Sequence, residues 1–162
     1  MTRVRDRRLA AIEDLYRDRF QRFLQVATAI VGDRERALEA VQDGFADALR
    51  SRQSYRGECP LEGWVWRMVV NRALKARQPL EEQLPTELPA NGNGHAPSEF
   101  PEISALVALL PERQRLAVFL RYYADLDYRS IAAVLEIEVG TVSATLSGAH
   151  TALRRALQEV AW

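Results

Sequence analysis

Between Tyr55 and Lys75 the sequence interleaves rings and cations: Tyr55, Arg56, Trp64, Trp66, Arg67, Asn71, Arg72 and Lys75. Together these residue types suit an unpaired nucleic-acid strand, because bases stack on ring faces while Arg and Lys hold the phosphates. Both tryptophans also have a plain alternative as core residues. Trp64 falls on the apolar side of its segment and is expected in the core, whereas Trp66 is balanced between core and surface. A second set, Glu39, Gln42 and Asp43, forms a polar, partly acidic surface that reads by itself as a solvated helix face. A third candidate is the stretch Asp127–Arg155, which has the layout of a helix-turn-helix, a unit whose second helix can lie in the DNA major groove.

Nothing in the sequence proposes catalysis. No Ser/His/Asp set, clustered metal ligands or glycine-rich phosphate loop is present. No catalytic, metal or cofactor site is expected. Cys59 is the lone cysteine, which excludes an internal disulfide, and it reads as a small semi-buried loop residue. His95 stands in a Pro/Gly-rich stretch without partners at ligand spacing.

The elements that must position these residues read as helices throughout. Leu9, Ile12, Tyr16, Phe20, Phe23, Ala27 and Ile30 step by three or four and predict one helix from about Arg8 to Val31, with Gly32 as its stop. Asp33 is placed to cap a second helix, Arg34 to Arg52, burying Ala37, Val41, Phe45, Ala48 and Leu49. Pro60 precedes a third helix, Leu61 to Arg77, with Leu61, Trp64, Val65, Met68, Val69 and Ala73 as its expected core face. Residues 78–101 then change character, with five prolines, two glycines, four glutamates and no Lys or Arg, and read as a flexible acidic linker. Beyond it, Ile103, Leu106, Val107, Leu109 and Leu110 predict a short helix ended by Pro111, and Glu112 to Tyr123 a second. Asp127 caps the helix Tyr128–Leu135, the turn lies at Glu136–Gly140, and Val142, Leu146, Ala149, Leu153 and Leu157 give the last helix its buried face. No strand is convincing. The predicted fold class is therefore all-α: two small helical domains, 8–77 and 102–162, joined by the linker 78–101, the second domain a helix-turn-helix.

A chain of 162 residues with 48% hydrophobic and 27% charged content is an ordinary globular sequence. Its apolar runs stay short of the roughly 18–20 residues of a membrane span, and the basic start lacks a signal-peptide core. A cytoplasmic location is expected. Net charge is zero, but it is unevenly shared: residues 1–78 hold 16 Lys/Arg against 11 Asp/Glu, residues 79–102 hold only five Glu, and residues 103–162 hold six of each sign. A basic front, an acidic middle and a neutral back suggest separate tasks.

Several motifs occur together in a familiar order. Glu13-Asp14-Leu15-Tyr16, Gly32-Asp33, Val41-Gln42-Asp43-Gly44-Phe45, Tyr55-Arg56-Gly57-Glu58 and Trp64-Val65-Trp66-Arg67 through Ala73 resemble sigma region 2. Leu110-Pro111-Glu112-Arg113-Gln114-Arg115, Gly140-Thr141-Val142 and Ala152-Leu153-Arg154-Arg155 resemble sigma region 4. The whole resembles a bacterial extracytoplasmic-function (ECF) RNA polymerase sigma factor of the two-domain type. That resemblance implies binding to core RNA polymerase and to promoter DNA, with an anti-sigma factor as a further partner. It implies that Glu39, Gln42 and Asp43 meet the polymerase. It implies that Tyr55, Arg56, Trp66, Arg67, Asn71, Arg72 and Lys75 separate the minus-10 strands, and that the acidic linker threads towards the active centre. Minus-35 contacts would fall to Arg129, Thr141, Ser143, Thr145, Ser147, His150 and Arg154.

The sequence departs from that family in one place. Where the recognition helix is usually rich in Lys and Arg, it carries Ser143, Ala144, Thr145, Ser147, Gly148, His150 and Thr151, and between Tyr128 and His150 the only Arg is Arg129. Phosphate neutralisation drives much of DNA affinity, and Arg to guanine is the commonest base contact. Weakened upstream recognition is therefore expected. Glu136 also stands in a turn where glycine is common. Two other readings stay open: a sigma-like regulator acting through protein partners, and a stand-alone helix-turn-helix regulator.

Overall fold

The computed structural model describes residues 6–77 and 101–160, and every described element is helical. The expected linker lies outside the described residues. Helix α1 spans Arg7–Val31, α2 Arg34–Ser51, α3 Leu61–Ala76, α4 Pro101–Ala108, α5 Glu112–Val118, α6 Tyr128–Leu135 and α7 Val139–Val160.

The helix ends lie where local chemistry puts them. Asp6 caps α1 by accepting from the backbone N–H groups of Arg8 and Leu9, at 3.0 and 3.3 Å. Gly32 ends the helix at φ 85°, a left-handed conformation that costs a residue without Cβ nothing. Asp33 then accepts from Arg36 N–H, and Asp127 caps α6 by accepting from Ser130 N–H at 2.8 Å. Hydrogen bonding from the Ser130 side chain, and to a lesser extent from its backbone N–H, holds the Asp127 carboxyl below its ordinary range.

Helix α3 is the centre of the molecule. Its Val65, Val69 and Ala73 stripe packs on α2 so closely that a Cβ on Gly44 would lie 2.6 Å from Val69 Cα. Its Trp66 ring stacks on Phe23 of α1, with centroids 3.8 Å apart and planes 17° apart. On a third side α3 meets α6: a Cβ on Gly63 would lie 2.5 Å from Ser130 Cβ. The buried apolar residues of α1–α3 and of α4–α7 consequently form one continuous cluster.

Two expectations about buried faces change. Trp66, balanced between core and surface in the sequence, is 0% exposed, and Val70, left out of the expected core face, is 1% exposed, while Trp64, expected in the core, is only half-buried. Leu109, expected on an apolar face, is 81% exposed and lies just beyond α4, which ends at Ala108, whereas Leu110 next to it is buried. The helix expected from Glu112 to Tyr123 is continuous, but its last turn, Phe119–Tyr123, widens, with Ala124 N–H reaching back five residues to Phe119 O at 3.0 Å.

Helices α6 and α7 cross at 93°. The turn between them is made by Glu136 at φ 56°, its N–H bonded to Ala132 O, while Ile137 N–H also reaches Ala132 O at 3.1 Å. This is a left-handed helix stop of the kind glycine ordinarily supplies, here adopted by a residue with a side chain. Ser130, Ile131, Ala132 and Val134 of α6, and Val142, Leu146 and Ala149 of α7, are buried.

Candidate nucleic-acid interface

The ring-and-cation set lies along the start and outer side of α3 and the loop before it. Tyr55 is held by its hydroxyl, which donates to Cys59 O at 2.5 Å, and its ring lies against Trp64 with centroids 5.6 Å apart. Burial raises the pKa of both the Tyr55 phenol and the Cys59 thiol, so both stay neutral at ordinary pH. A half-exposed pair of rings beside Arg56, which is exposed, is a surface on which an unpaired base can stack. The ring partner of Tyr55 is thus Trp64. Trp66 cannot serve, since Phe23 covers its face and no part of it reaches solvent. This corrects the expectation that Trp66 offers a face to the strand.

The cations of α3 divide into paired and open. Arg72 makes a two-pronged ion pair with Asp47 of α2, Nε to Oδ2 at 2.6 Å and Nη2 to Oδ1 at 2.9 Å. Arg50 adds a bond to the same carboxylate at 2.6 Å. The Arg72 bond is the main reason the Asp47 carboxyl falls to about 2, and in return the Asp47 carboxylate raises the Arg72 guanidinium. Arg72 is therefore fixed in direction across α2 and α3. Arg67 pairs with Glu136 of the α6–α7 turn at 2.8 Å. Lys75 is exposed and Asn71 half-buried on the same helix. Arg77, at its end, pairs with Glu112.

Glu39, Gln42 and Asp43 are all exposed on α2. Gln42 borders a groove of about 390 Å³ between α1 and α2, whose floor is Ile12, Tyr16, Phe45 and Leu49. An apolar groove with a polar rim is a different object from a uniformly solvated face. It lies next to a surface that sequence patterning alone could not distinguish from solvent-facing helix.

On α7, Thr141, Ser143, Ser147, His150 and Arg154 are exposed and Thr145 is half-buried. Thr145 spends its hydroxyl on Thr141 O at 2.7 Å. His150 Nε2 lies 2.8 Å from the Tyr122 hydroxyl of the widened turn. Arg129, at the start of α6, donates to Glu58 O in the loop before α3. The exposed face of α7 from Thr141 to Thr151 carries hydroxyls and one imidazole but no fixed cation.

Two family patterns match the chain: sigma-70 region 2 over residues 15–78 and sigma-70 region 4 over residues 101–153. Among characterised proteins it is similar to the RNA polymerase sigma-H factor of Pseudomonas aeruginosa, 29% identical over 156 residues that cover 85% of this chain and 81% of that protein. It is likewise similar to the ECF RNA polymerase sigma-E factor of Haemophilus influenzae, 29% identical over 139 residues covering 74% of each. Its fold matches CnrH, solved in complex with the cytosolic domain of CnrY, with a TM-score of 0.68 at 17% identity, over 93% of this chain and 90% of that one. It also matches the sigma factor RpoE of Bartonella quintana, solved with the anti-sigma factor NepR, with a TM-score of 0.65 at 16% identity, over 90% and 98%.

Proposed function

The chain belongs to the sigma-70 family, as an RNA polymerase sigma factor of the ECF type that joins region 2 to region 4, and on that premise we propose how its surfaces divide the work of initiation. Residues 8–77 bind core polymerase and open the minus-10 element, residues 78–101, rich in glutamate and without Lys or Arg, join the two parts, and residues 102–162 form a helix-turn-helix domain. The α2 surface of Glu39, Gln42 and Asp43 meets the polymerase, with the adjacent apolar groove supporting that role. Tyr55 and Trp64 give the ring faces for an unstacked base, while Arg56, Asn71, Arg72 and Lys75 line the path of the strand. Arg67 joins them once it leaves Glu136. The protein does no covalent chemistry of its own. It works in the cytoplasm, where its polymerase and promoter are, and among the described residues no single helix is long and apolar enough to cross a membrane. The two matched structures are complexes with the cytosolic domain of CnrY and with the anti-sigma factor NepR, which supports an anti-sigma partner here too.

Region 2 supplies most of the promoter affinity, and region 4 reads the minus-35 element weakly. The observation that carries this division is the exposed face of α7, which offers Thr141, Ser143, Ser147 and His150 without a Lys or Arg before Arg154. A two-pronged Arg–guanine contact is worth about 1–3 kcal/mol of discrimination, and a hydroxyl offers no such fork. The same observation favours a second reading, in which the C-terminal domain serves mainly as a docking site for a protein partner.

Run-off transcription with core polymerase on paired templates tests the division. Replacing the minus-10 element should abolish the transcript, and replacing the minus-35 element should reduce it by less than about tenfold, roughly one lost base contact. The reverse ranking would overturn the division. A specific, salt-dependent shift of duplex DNA by the C-terminal domain within the full chain would exclude the second reading.

A further inference from the structure

We propose that Asp6 and Arg8, at the start of α1, are positioning residues for promoter opening: they clamp the Arg52–Ser54 turn and so hold the Tyr55–Cys59 loop in shape before DNA arrives. The Asp6 carboxylate does two jobs with its two oxygens. Oδ1 caps α1 by accepting from the Arg8 and Leu9 N–H groups. Oδ2 accepts from Arg52 Nε at 2.7 Å and from the Gln53 amide at 3.4 Å. Arg8 completes the clamp, its Nη1 donating to Arg52 O, Gln53 O and Gln53 Oε1 at 3.3, 3.4 and 3.3 Å. Arg52 Nη1 in turn donates to Leu49 O at 2.6 Å, which fixes the turn to the end of α2.

A helix cap needs only the first of the two Asp6 oxygens. The remaining bonds tie together residues 44 to 47 apart, and the far end is the turn from which the loop emerges. Tyr55 follows directly, with its N–H bonded to Arg52 O at 3.4 Å and its hydroxyl closing the loop on Cys59 O. Arg8 is near enough for its charge to act on that hydroxyl. Arg56, Gly57 and Glu58 are exposed, and Gly57 turns at φ 77°, so the shape of the loop depends on its ends and on the bond from Arg129 to Glu58 O. The Asp6 and Arg52 side chains are half-buried, so salt screens this pair less than it screens a fully exposed one. A loop ordered in advance gives up little freedom when an unstacked base settles on the Tyr55 and Trp64 rings. Fixing the backbone of one residue changes an equilibrium by about tenfold, so losing order at one loop residue should weaken base capture by about that factor.

The two jobs of Asp6 can be separated. Asparagine caps a helix as well as aspartate does, but it has one acceptor oxygen and cannot serve both α1 and Arg52. Asp6→Asn therefore keeps the helix and breaks the clamp, and Asp6→Ser does the same with a shorter side chain. The probe is a single-stranded oligonucleotide carrying the non-template minus-10 element, bound to holoenzyme assembled from the full chain and core polymerase. Both variants should bind it about tenfold more weakly, with core-polymerase affinity and helical circular dichroism at wild-type values. Arg52→Gln should weaken it as much, and Asp6→Asn combined with Arg52→Gln no more than either alone, because both remove the same contact. Hydrogen exchange at residues 52–59 of the free chain should be faster in every variant. Unchanged exchange there would overturn the clamp. Faster exchange with unaltered strand affinity, or a parallel loss of core affinity, would overturn the positioning role. The inference rests on Tyr55 and Trp64 receiving the base, and failure of that reading would appear separately, as wild-type strand affinity in Trp64→Ala.

Discussion

Replacing Asp47 by asparagine isolates the ion pair that fixes Arg72 on the proposed nucleic-acid face. The carboxylate accepts two bonds from Arg72 and a third from Arg50, and its pKa is about 2 instead of 3.8. At about 1.4 kcal/mol per pH unit, that difference corresponds to about 2.4 kcal/mol as an upper limit. The Asp47 side chain is 26% exposed and that of Arg72 38%, so solvent screening brings the expected loss to about 1–1.5 kcal/mol. The amide in Asp47→Asn keeps the shape and one acceptor oxygen but no charge. The sign follows from the direction of the shift. A carboxyl lowered on folding stabilises the protein fully above its unfolded pKa of 3.8, and this contribution disappears as pH falls through about 2. Urea unfolding followed by tryptophan fluorescence at about pH 7, 4 and 3 is the assay. Asp47→Asn should lower stability by the stated amount at about pH 7, with the gap from wild type reduced to about half near pH 3. A gap under about 0.3 kcal/mol, or one that does not change between neutral and acid pH, would refute the reasoning.

Other substitutions probe packing and site geometry. Gly44→Ala pushes a methyl against Val69 Cα, a backbone atom that cannot rotate away; overpacking of about 1–3 kcal/mol should exceed the helix-propensity gain, as a lowered denaturant midpoint would show. Trp66→Ala, removing a fully buried ring, should cost about 3–5 kcal/mol in the same measurement. Trp64→Ala should instead lower promoter opening, read by permanganate footprinting, with a smaller loss of stability. Tyr122→Phe removes the hydroxyl that meets His150 while keeping the ring; it should leave thermal stability unchanged and should relax whatever minus-35 preference the holoenzyme shows in run-off assays.

The parts of this structure legible in sequence are those set by neighbouring residues. Gly32, Asp33, Pro60 and Asp127 each mark a helix end because the cap or stop is made within a few residues. The family motifs belong to the same level, since they are short and ordered along the chain. What sequence patterning does not resolve is how α3 is rotated. Its apolar residues fill adjacent stripes, so Trp64 with Met68 and Trp66 with Val70 are equally eligible for the interior, and Phe23 on another helix decides between them. The fate of the cations is equally hidden. Arg72 finds Asp47 at a separation of 25 residues and Arg67 finds Glu136 at 69, distances over which no periodicity carries information. Glu136 alone gives a local sign, as a side chain where the turn favours glycine.

That the chain directs RNA polymerase to promoters is tested most directly with purified full-length protein, core polymerase and a template carrying the promoter of its own operon. The expected result is co-purification with core polymerase and a discrete run-off transcript that requires both the protein and an intact minus-10 element. Failure to bind core polymerase, or a transcript indifferent to the minus-10 sequence, would contradict it.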